Sequence, residues 1–288
     1  MKVLQLRLGT TTSDTPFTIN NCSFIDCGTS ELTGNAITLT SNLKSISIED
    51  SFIEFIEITG FNGIKIQSGC SINLDHVEFI KTAQNSALLI QSSSNPTITI
   101  NNCVFDSCSN TNNNCFDITI STTSFSFQNN VLRNLKGNGC DNYFGLFNFN
   151  SQRQFVLQNI SFINNSCSSL YGGGIGLQFN NVNQLQFSEC HFINNEAIQD
   201  TTKARPNQES KPPYYNGDGG AIQIGYICTM NDVKIIFTNC DFDQNKAQRH
   251  GGAISIQTLN EVEITGCKFN SNRANYNFDS SSSSSSSS

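Results

Sequence analysis

The stretch Phe237-Thr238-Asn239-Cys240-Asp241-Phe242 decides the fold, because its pattern of apolar, x, Asn, Cys, x, Phe returns from one end of the chain to the other. With the final Phe as marker, the equivalent positions are Phe24, Ile53, Phe79, Phe105, Leu132, Phe162, Phe192, Phe242 and Phe269. They are separated by 29, 26, 26, 27, 30, 30, 50 and 27 residues. Self-similarity at a near-constant period of this length is the signature of a solenoid, in which each unit buries its apolar face only against its neighbours.

A second motif keeps time with the first. It reads GNAI from Gly34, NGIKI from Asn62, GGGIGL from Gly172, GGAIQI from Gly219 and GGAISI from Gly251. Each unit is expected to run as a Gly-rich turn, a strand such as the one holding Ile254 and Ile256, a loop, a strand with Val262 and Ile264, a corner, and a short third strand. In that last strand Cys267 and Phe269 point inward. Apolar and polar residues alternate over four to six positions, and no stretch of helical period is long enough to oppose strands. Three short strands per turn, stacked many times, make an all-β fold: a right-handed, single-stranded parallel β-helix of about nine to ten coils.

The columns around the marker support this register. Three residues earlier stand Asn21, Asp50, His76, Asn102, Asn129, Asn159, Glu189, Asn239 and Gly266, mostly types that tolerate a left-handed backbone at a sharp bend. Two residues earlier stand Cys22, Ser51, Val77, Cys103, Asn130, Ile160, Cys190, Cys240 and Cys267, small to medium residues suited to the inside of a bend. The marker column itself predicts a spine of rings stacked at about the inter-strand spacing of 4.8 Å.

Composition agrees. The 288 residues include 22 Phe and no Trp, and are 37% hydrophobic, which suits a narrow core of repeated rungs forming one domain over residues 1–278. Only 14% of residues are charged, and the net charge is −7 with a pI of about 4.9. That acidic balance argues against nucleic acid or an anionic membrane surface as partner, since either requires a basic face. No run approaches the ~18 consecutive apolar residues of a transmembrane helix.

Two segments break the rhythm. The 50-residue step contains an insertion over about residues 199–218 (QDTTKARPNQESKPPYYNGD), rich in Pro and charge and expected to project as a loop. Residues 279–288 are a poly-Ser tail that can bury nothing and is expected to be disordered. At the other end MKVLQLRLG, with Arg7 interrupting the apolar residues, reads as one more strand with Leu4, Leu6 and Leu8 on one face rather than as a leader. The chain is therefore expected to be a piece of a longer repeat protein, with uncapped coils open to end-to-end contacts.

The alternation of GGGI at Gly172, GGAI at Gly219 and GGAI at Gly251 with FINN at Phe162, FINN at Phe192, FDQN at Phe242 and FNSN at Phe269 resembles the paired GGA[ILV] and FxxN repeats of polymorphic outer-membrane proteins, surface-displayed β-helical adhesins with a pectin-lyase-like parallel β-helix. The resemblance is concentrated in residues 162–272. Before it, Phe24 and Phe105 lead to Cys27 and Cys108 where the family has Asn. What the resemblance implies is a surface or secreted region acting in adhesion, without the membrane-anchoring β-barrel of the bacterial family.

Twelve cysteines are dense for this length and would suit an oxidising compartment. Yet Cys190, Cys240 and Cys267 share one inward column, where a thiol is simply a good small filler, and stacked residues are geometrically tight for a bridge. Cys22 with Cys27, and Cys103 with Cys108, could instead close small loops. There is no CxxC and no Cys/His cluster at zinc spacing, so neither metal nor cofactor is indicated. Three glycosylation sequons, at Asn21, Asn159 and Asn164, lie on or beside corners, where backbone conformation alone accounts for asparagine.

For chemistry, the candidate set is the column one residue before the marker in the last three coils: His191, Asp241 and Lys268, with Glu189 and Asp243 nearby. A base, a carboxylate and an ammonium side by side could serve acid–base work on a sugar, but they equally describe a solvent-facing ladder of alternating charge. Tyr214 and Tyr215 in the inserted loop are the candidate ligand-binding residues, for glycans or surface proteins. The sequence thus favours a non-enzymatic surface or secreted β-helical repeat protein used in adhesion, binding or as a scaffold. A carbohydrate-active enzyme of the pectate-lyase-like superfamily, a polysaccharide lyase or glycoside hydrolase, is the second reading.

Overall fold

The computed structural model describes residues 4–6, 17–25, 37–39, 45–54, 64–66, 71–80, 88–92, 97–110, 116–120, 125–137, 147–150, 154–167, 177–180, 184–198, 217–224, 233–256 and 261–275. Every strand pairing among them is parallel, and each strand pairs with its counterpart one winding away. The chain is a parallel β-solenoid. A first sheet of seven strands runs from Leu4–Leu6 to Leu177–Asn180, a second of nine from Phe17–Asn20 to Glu261–Thr265, and a third of nine from Ser23–Ile25 to Lys268–Asn270. A fourth sheet, of six two-residue strands, runs from Ser109–Asn110 to Arg273–Ala274, and Ile222–Ile224 pairs with Ile254–Ile256 in a separate two-stranded sheet.

Two expectations are corrected here. Among the described residues, from the winding that ends at Ser109–Asn110 onward the unit holds four strands rather than three, because a second corner follows the third strand. The coil count also differs from the expected nine to ten. Among the described residues only four consecutive windings, those whose last strands are Ser109–Asn110, Lys136–Gly137, Ser166–Cys167 and Glu196–Ala197, contribute to all four large sheets.

In the second and third sheets alternation places one side of the inner strands in the core. Lys234–Thr238 buries Ile235 and Phe237, and Asp241–Asp243 buries Phe242. The marker rings stack as their register requires: Phe162 on Phe192 at 4.9 Å, Phe192 on Phe242 at 4.6 Å and Phe242 on Phe269 at 4.8 Å, all within 5° of parallel. Phe79 on Phe105, at 4.7 Å, forms a second segment of the spine, and Leu132 stands between the two. Phe187 and Phe237 form a neighbouring column at 4.9 Å and meet the spine edge-on. Offset or edge contacts of this kind add about 0.5–1.5 kcal/mol per pair beyond simple burial.

Both corners bend through a residue with positive φ. The first corner uses the expected column, from Asn21 at 50° to Gly266 at 65°. The second, not anticipated, uses Ser107, Asn134, Asn164, Asn194, Gln244 and Ser271 at 51° to 56°. A left-handed residue costs an L-amino acid about 1–2 kcal/mol, least for Asn, whose short amide bonds locally.

The residue after each bend points inward, and where it is Asn, Cys or Ser rather than Val77, Leu135 or Ile160 it also closes hydrogen bonds that the bend would leave open. At the second corner Asn195 donates Nδ2–H to the Phe162 carbonyl (3.0 Å), and its Oδ1 accepts the Asn165 N–H (3.0 Å). Asn165 does the same for the Leu132 carbonyl and the Leu135 N–H, Asn245 for Phe192 and Asn195, and Asn272 for Phe242 and Asn245. At the first corner Asn130 repeats this arrangement with Ile100 and Cys103.

Cysteine is the same device with sulfur. Cys190 Sγ–H donates to the Leu157 carbonyl (3.4 Å) and Cys240 Sγ–H to that of Phe187 (3.5 Å), while Cys267 Sγ accepts the Cys240 N–H (3.4 Å). Cys267 therefore sits in the corner before the third strand rather than within it. Cys22, Cys103, Cys108, Cys167, Cys190, Cys240 and Cys267 are all free thiols, so no bridge joins Cys103 to Cys108; Cys27 lies outside the described residues. Burial pushes the Cys103 thiol up to about 12 and raises Cys190 as well, which keeps both as neutral S–H donors.

The double glycines answer to the same crowding. A Cβ on Gly220 would lie 2.0 Å from the Gly252 carbonyl oxygen and 2.6 Å from the Lys246 backbone, and one on Gly252 would lie 2.6 Å from the Arg273 backbone. The two described Gly-Gly turns thus pass directly over the fourth strand that ends their own winding. This is why GGAI and FxxN alternate in phase: one supplies the gap, the other the corner that delivers backbone into it.

Candidate functional site

The structure brings the three acid–base candidates together. His191 pairs in register with Asp241 and Asp241 with Lys268, one outward position on three consecutive windings. His191 Nδ1 lies 3.2 Å from Asp241 Oδ2, and Lys268 Nζ lies 3.9 Å from Asp241 Oδ1. The carboxylate is held between two basic neighbours in a line along the stack, with side-chain exposures of 41%, 37% and 83% for His191, Asp241 and Lys268. Asp243, in the next outward column, accepts from Asn270 Nδ2 (2.8 Å) and Gln244 Nε2 (3.2 Å).

This geometry follows from strand register alone, since the inward anchors Phe192, Phe242 and Phe269 fix where the residues before them must point. Exposed pairs of this kind contribute about 0–1 kcal/mol each. The column sets a carboxylate acceptor between an imidazole and an ammonium on the outer face of the solenoid.

Similar ladders continue on other windings. Arg133 Nε lies 2.8 Å from Asp106 Oδ2, and Asn134 Nδ2 and Ser107 Oγ both donate to Asp106 Oδ1 at 2.8 Å. Partial burial pushes the Asp106 carboxyl up, but the bonds from Asn134, Ser107 and Arg133 together outweigh it and hold the group below the usual range. Lys234 reaches Glu261 (2.9 Å) and Glu263 (3.1 Å) on the next winding, and these partners hold its ammonium above its ordinary value.

At the end of the inserted segment, Gly217 and Asp218 are held against the stack. The Asp218 side chain is 0% exposed; its Oδ1 accepts the His250 N–H (3.1 Å) and lies 3.8 Å from Arg249 Nε. Arg249 N–H donates to the Gly217 carbonyl (2.9 Å). These contacts fasten the end of the insertion to the turn before Gly251. Tyr214 and Tyr215 lie outside the described residues, so the candidate ligand-binding pair has a fixed base but no described position. Among the described residues no cluster of three His, Cys, Asp or Glu could hold a metal ion, and no helix is long and apolar enough to cross a membrane.

From Asn239 onward one winding shows every element in order: a left-handed corner, the Cys240 plug, the Phe242 rung, a second corner at Gln244, the Asn245 plug, the fourth strand, the Gly-Gly turn and the strand Ile254–Ile256. Residues 239–257 match the Chlamydia polymorphic membrane protein repeat. With the parallel solenoid around it, this match supports a β-helix repeat protein similar to the polymorphic membrane proteins in that repeat. No curated protein and no solved structure matches the chain.

The matched residues are those whose roles are geometric. In the sequence FxxN stands out only as a recurring family motif; that its Asn is the second-corner plug is seen in the structure. The signal was present in the column Asn165, Asn195, Asn245 and Asn272, three residues after the marker Phe.

Proposed function

We propose that this chain is a surface or secreted β-helical scaffold whose outward polar columns and inserted loop make adhesive contacts with glycans or with proteins of another surface. One observation carries the reading. The outward residues form ladders along the stack that satisfy one another across windings, as in His191–Asp241–Lys268 and Asp106–Arg133, giving a long regular polar face. A face of this kind suits many weak contacts made side by side. The match at residues 239–257 supports surface display, since that repeat is named for membrane proteins.

Hydrolysis or elimination on a polysaccharide is the second reading, favoured by the adjacency of an imidazole, a carboxylate and an ammonium. Against it, Asp241 is already engaged on both oxygens by its neighbours.

The test separates the two. The chain is compared with an Asp241→Ala/Lys268→Ala variant and with one in which residues 200–215 are replaced by a short Gly-Ser linker that spares Gly217 and Asp218. Each is assayed on a glycan array, on cells and in a polysaccharide depolymerisation screen. Loss of array or cell binding in either variant supports the adhesive reading. Depolymerisation that disappears in the double variant would overturn it in favour of the enzyme.

A further inference from the structure

We propose that Asn21, Asn159 and Asn164 are attachment sites for N-linked glycans, because each is an exposed corner asparagine followed, after one inward-turned residue, by a serine on the outer face of the next strand. The assignment rests on the surface or secreted reading, since it needs passage through a compartment that transfers glycans.

All three share one layout. The asparagines are exposed with φ of 50°, 52° and 54°. The middle residues Cys22, Ile160 and Asn165 are the inward residues that follow a bend. Ser23, Ser161 and Ser166 then stand beside inward Phe24, Phe162 and Cys167, so alternation turns each hydroxyl outward. The N-x-S tripeptide therefore straddles the corner with both functional ends on the solvent side.

Backbone conformation explains the asparagine but not the serine. The same bends are made by Asp50, His76, Glu189, Gln244 and Ser107, so Asn is not compulsory. Corner asparagines 102, 129, 134, 194 and 239 are followed two residues later by Val104, Val131, Lys136, Glu196 and Asp241, none of them a hydroxyl. In the outward column before the marker, serine occurs only at Ser23 and Ser161, each time directly beyond an asparagine corner; the other members are Phe52, Glu78, Val104, Val131, His191, Asp241 and Lys268.

The chemistry is compatible with the folded state. Transfer from a lipid diphosphate-linked oligosaccharide forms a bond between Nδ2 and the sugar C1, breaks the C1–O bond to phosphate and releases the lipid diphosphate with one amide proton. Nδ2 keeps its second hydrogen. Asn159 uses one N–H toward Asn129 Oδ1 (2.9 Å) and Asn164 one toward Asn134 Oδ1 (3.4 Å), so both ladder bonds survive substitution. Glycans at Asn159 and Asn164 would rise from the two ends of the strand Ser161–Ile163 and flank its outer face, one winding before His191.

The experiment routes the full chain through a eukaryotic secretory pathway and maps occupied asparagines by peptide N-glycosidase release in heavy-oxygen water with mass spectrometry. Occupancy at all three positions is expected, with a single glycan lost in each of Ser23→Ala, Ser161→Ala and Ser166→Ala; Asn159→Asp, a type already present at Asp50, should reproduce the loss at that corner. A folded, secreted chain with the three asparagines bare overturns the assignment. A chain occupied at all three sites but absent from the surface of its own cell upholds the assignment and removes the surface reading.

Discussion

Replacing Asn195 by Leu tests whether the asparagine column holds the windings together through hydrogen bonds or merely fills space. Leu135 occupies the equivalent column two windings earlier and is fully buried, so a leucine fits the rung and no cavity is introduced. What disappears is polar. The Phe162 carbonyl and the Asn165 N–H lose their partners (both 3.0 Å), as does the contact from Nδ2 to Asn245 Oδ1 (3.0 Å). Phe162 and Asn165 are buried, and each unsatisfied group costs about 1–3 kcal/mol, which gives about 2–6 kcal/mol for the two. A solenoid need not unfold as one unit, so the appropriate assay is amide hydrogen exchange at the affected corner. Protection of the Asn165 amide should fall by roughly thirty-fold to twenty-thousand-fold, at about 1.4 kcal/mol per decade. Asn194→Gly is the control: it removes an exposed bond to Asn164 Oδ1 (2.8 Å) but keeps the left-handed bend, and should change local stability by less than about 1 kcal/mol. Unaltered protection in Asn195→Leu, or equal losses in the two variants, would refute the plug account.

Gly220→Ala places a methyl group against two backbone segments that cannot rotate away, and should destabilise the winding by about 3 kcal/mol or more, read as a lowered Tm or lost soluble yield. Cys103, buried and with its thiol pushed up to about 12, should resist iodoacetamide at pH 8 until the chain is unfolded. Because its folded pKa lies above the unfolded value of about 8.5, its contribution is complete below that pH and lost as pH rises toward 12. Cys103→Ser, which copies the residue at Ser51 in the same column, should therefore flatten the alkaline fall in stability seen by urea unfolding. Asp106 behaves oppositely: its carboxyl is held low, so its contribution is present above about pH 4 and lost as pH falls through the lower folded value, and Asp106→Asn should lessen the acid sensitivity of that region.

Much of the fold was legible because the column positions are fixed by covalent spacing. Asn21, Asp50 and His76 share no chemistry except tolerance of a left-handed backbone, and that common property located the first corner. The second corner escaped notice because its strand is only two residues long and shows no alternation to count, as in Lys246–Ala247. Its residues are also chemically mixed: Ser107 and Gln244 stand among the asparagines. The cysteines were ambiguous since spacing cannot distinguish a filler from a hydrogen-bond donor; only the carbonyls of Leu157 and Phe187 lying over the sulfurs decide it. The His191, Asp241 and Lys268 column was predictable from register, whereas the anchoring of the insertion through Asp218 and Arg249 joins residues that no period relates.

Every plug leans the same way. The amide of Asn165 is completed by Asn195, that of Asn195 by Asn245, and that of Asn245 by Asn272, so each turn is finished only by the arrival of the following one. The corner amides of any winding therefore stay open until its successor is laid down, so when the chain is lengthened from its amino end it is the newest turn that lacks its seals.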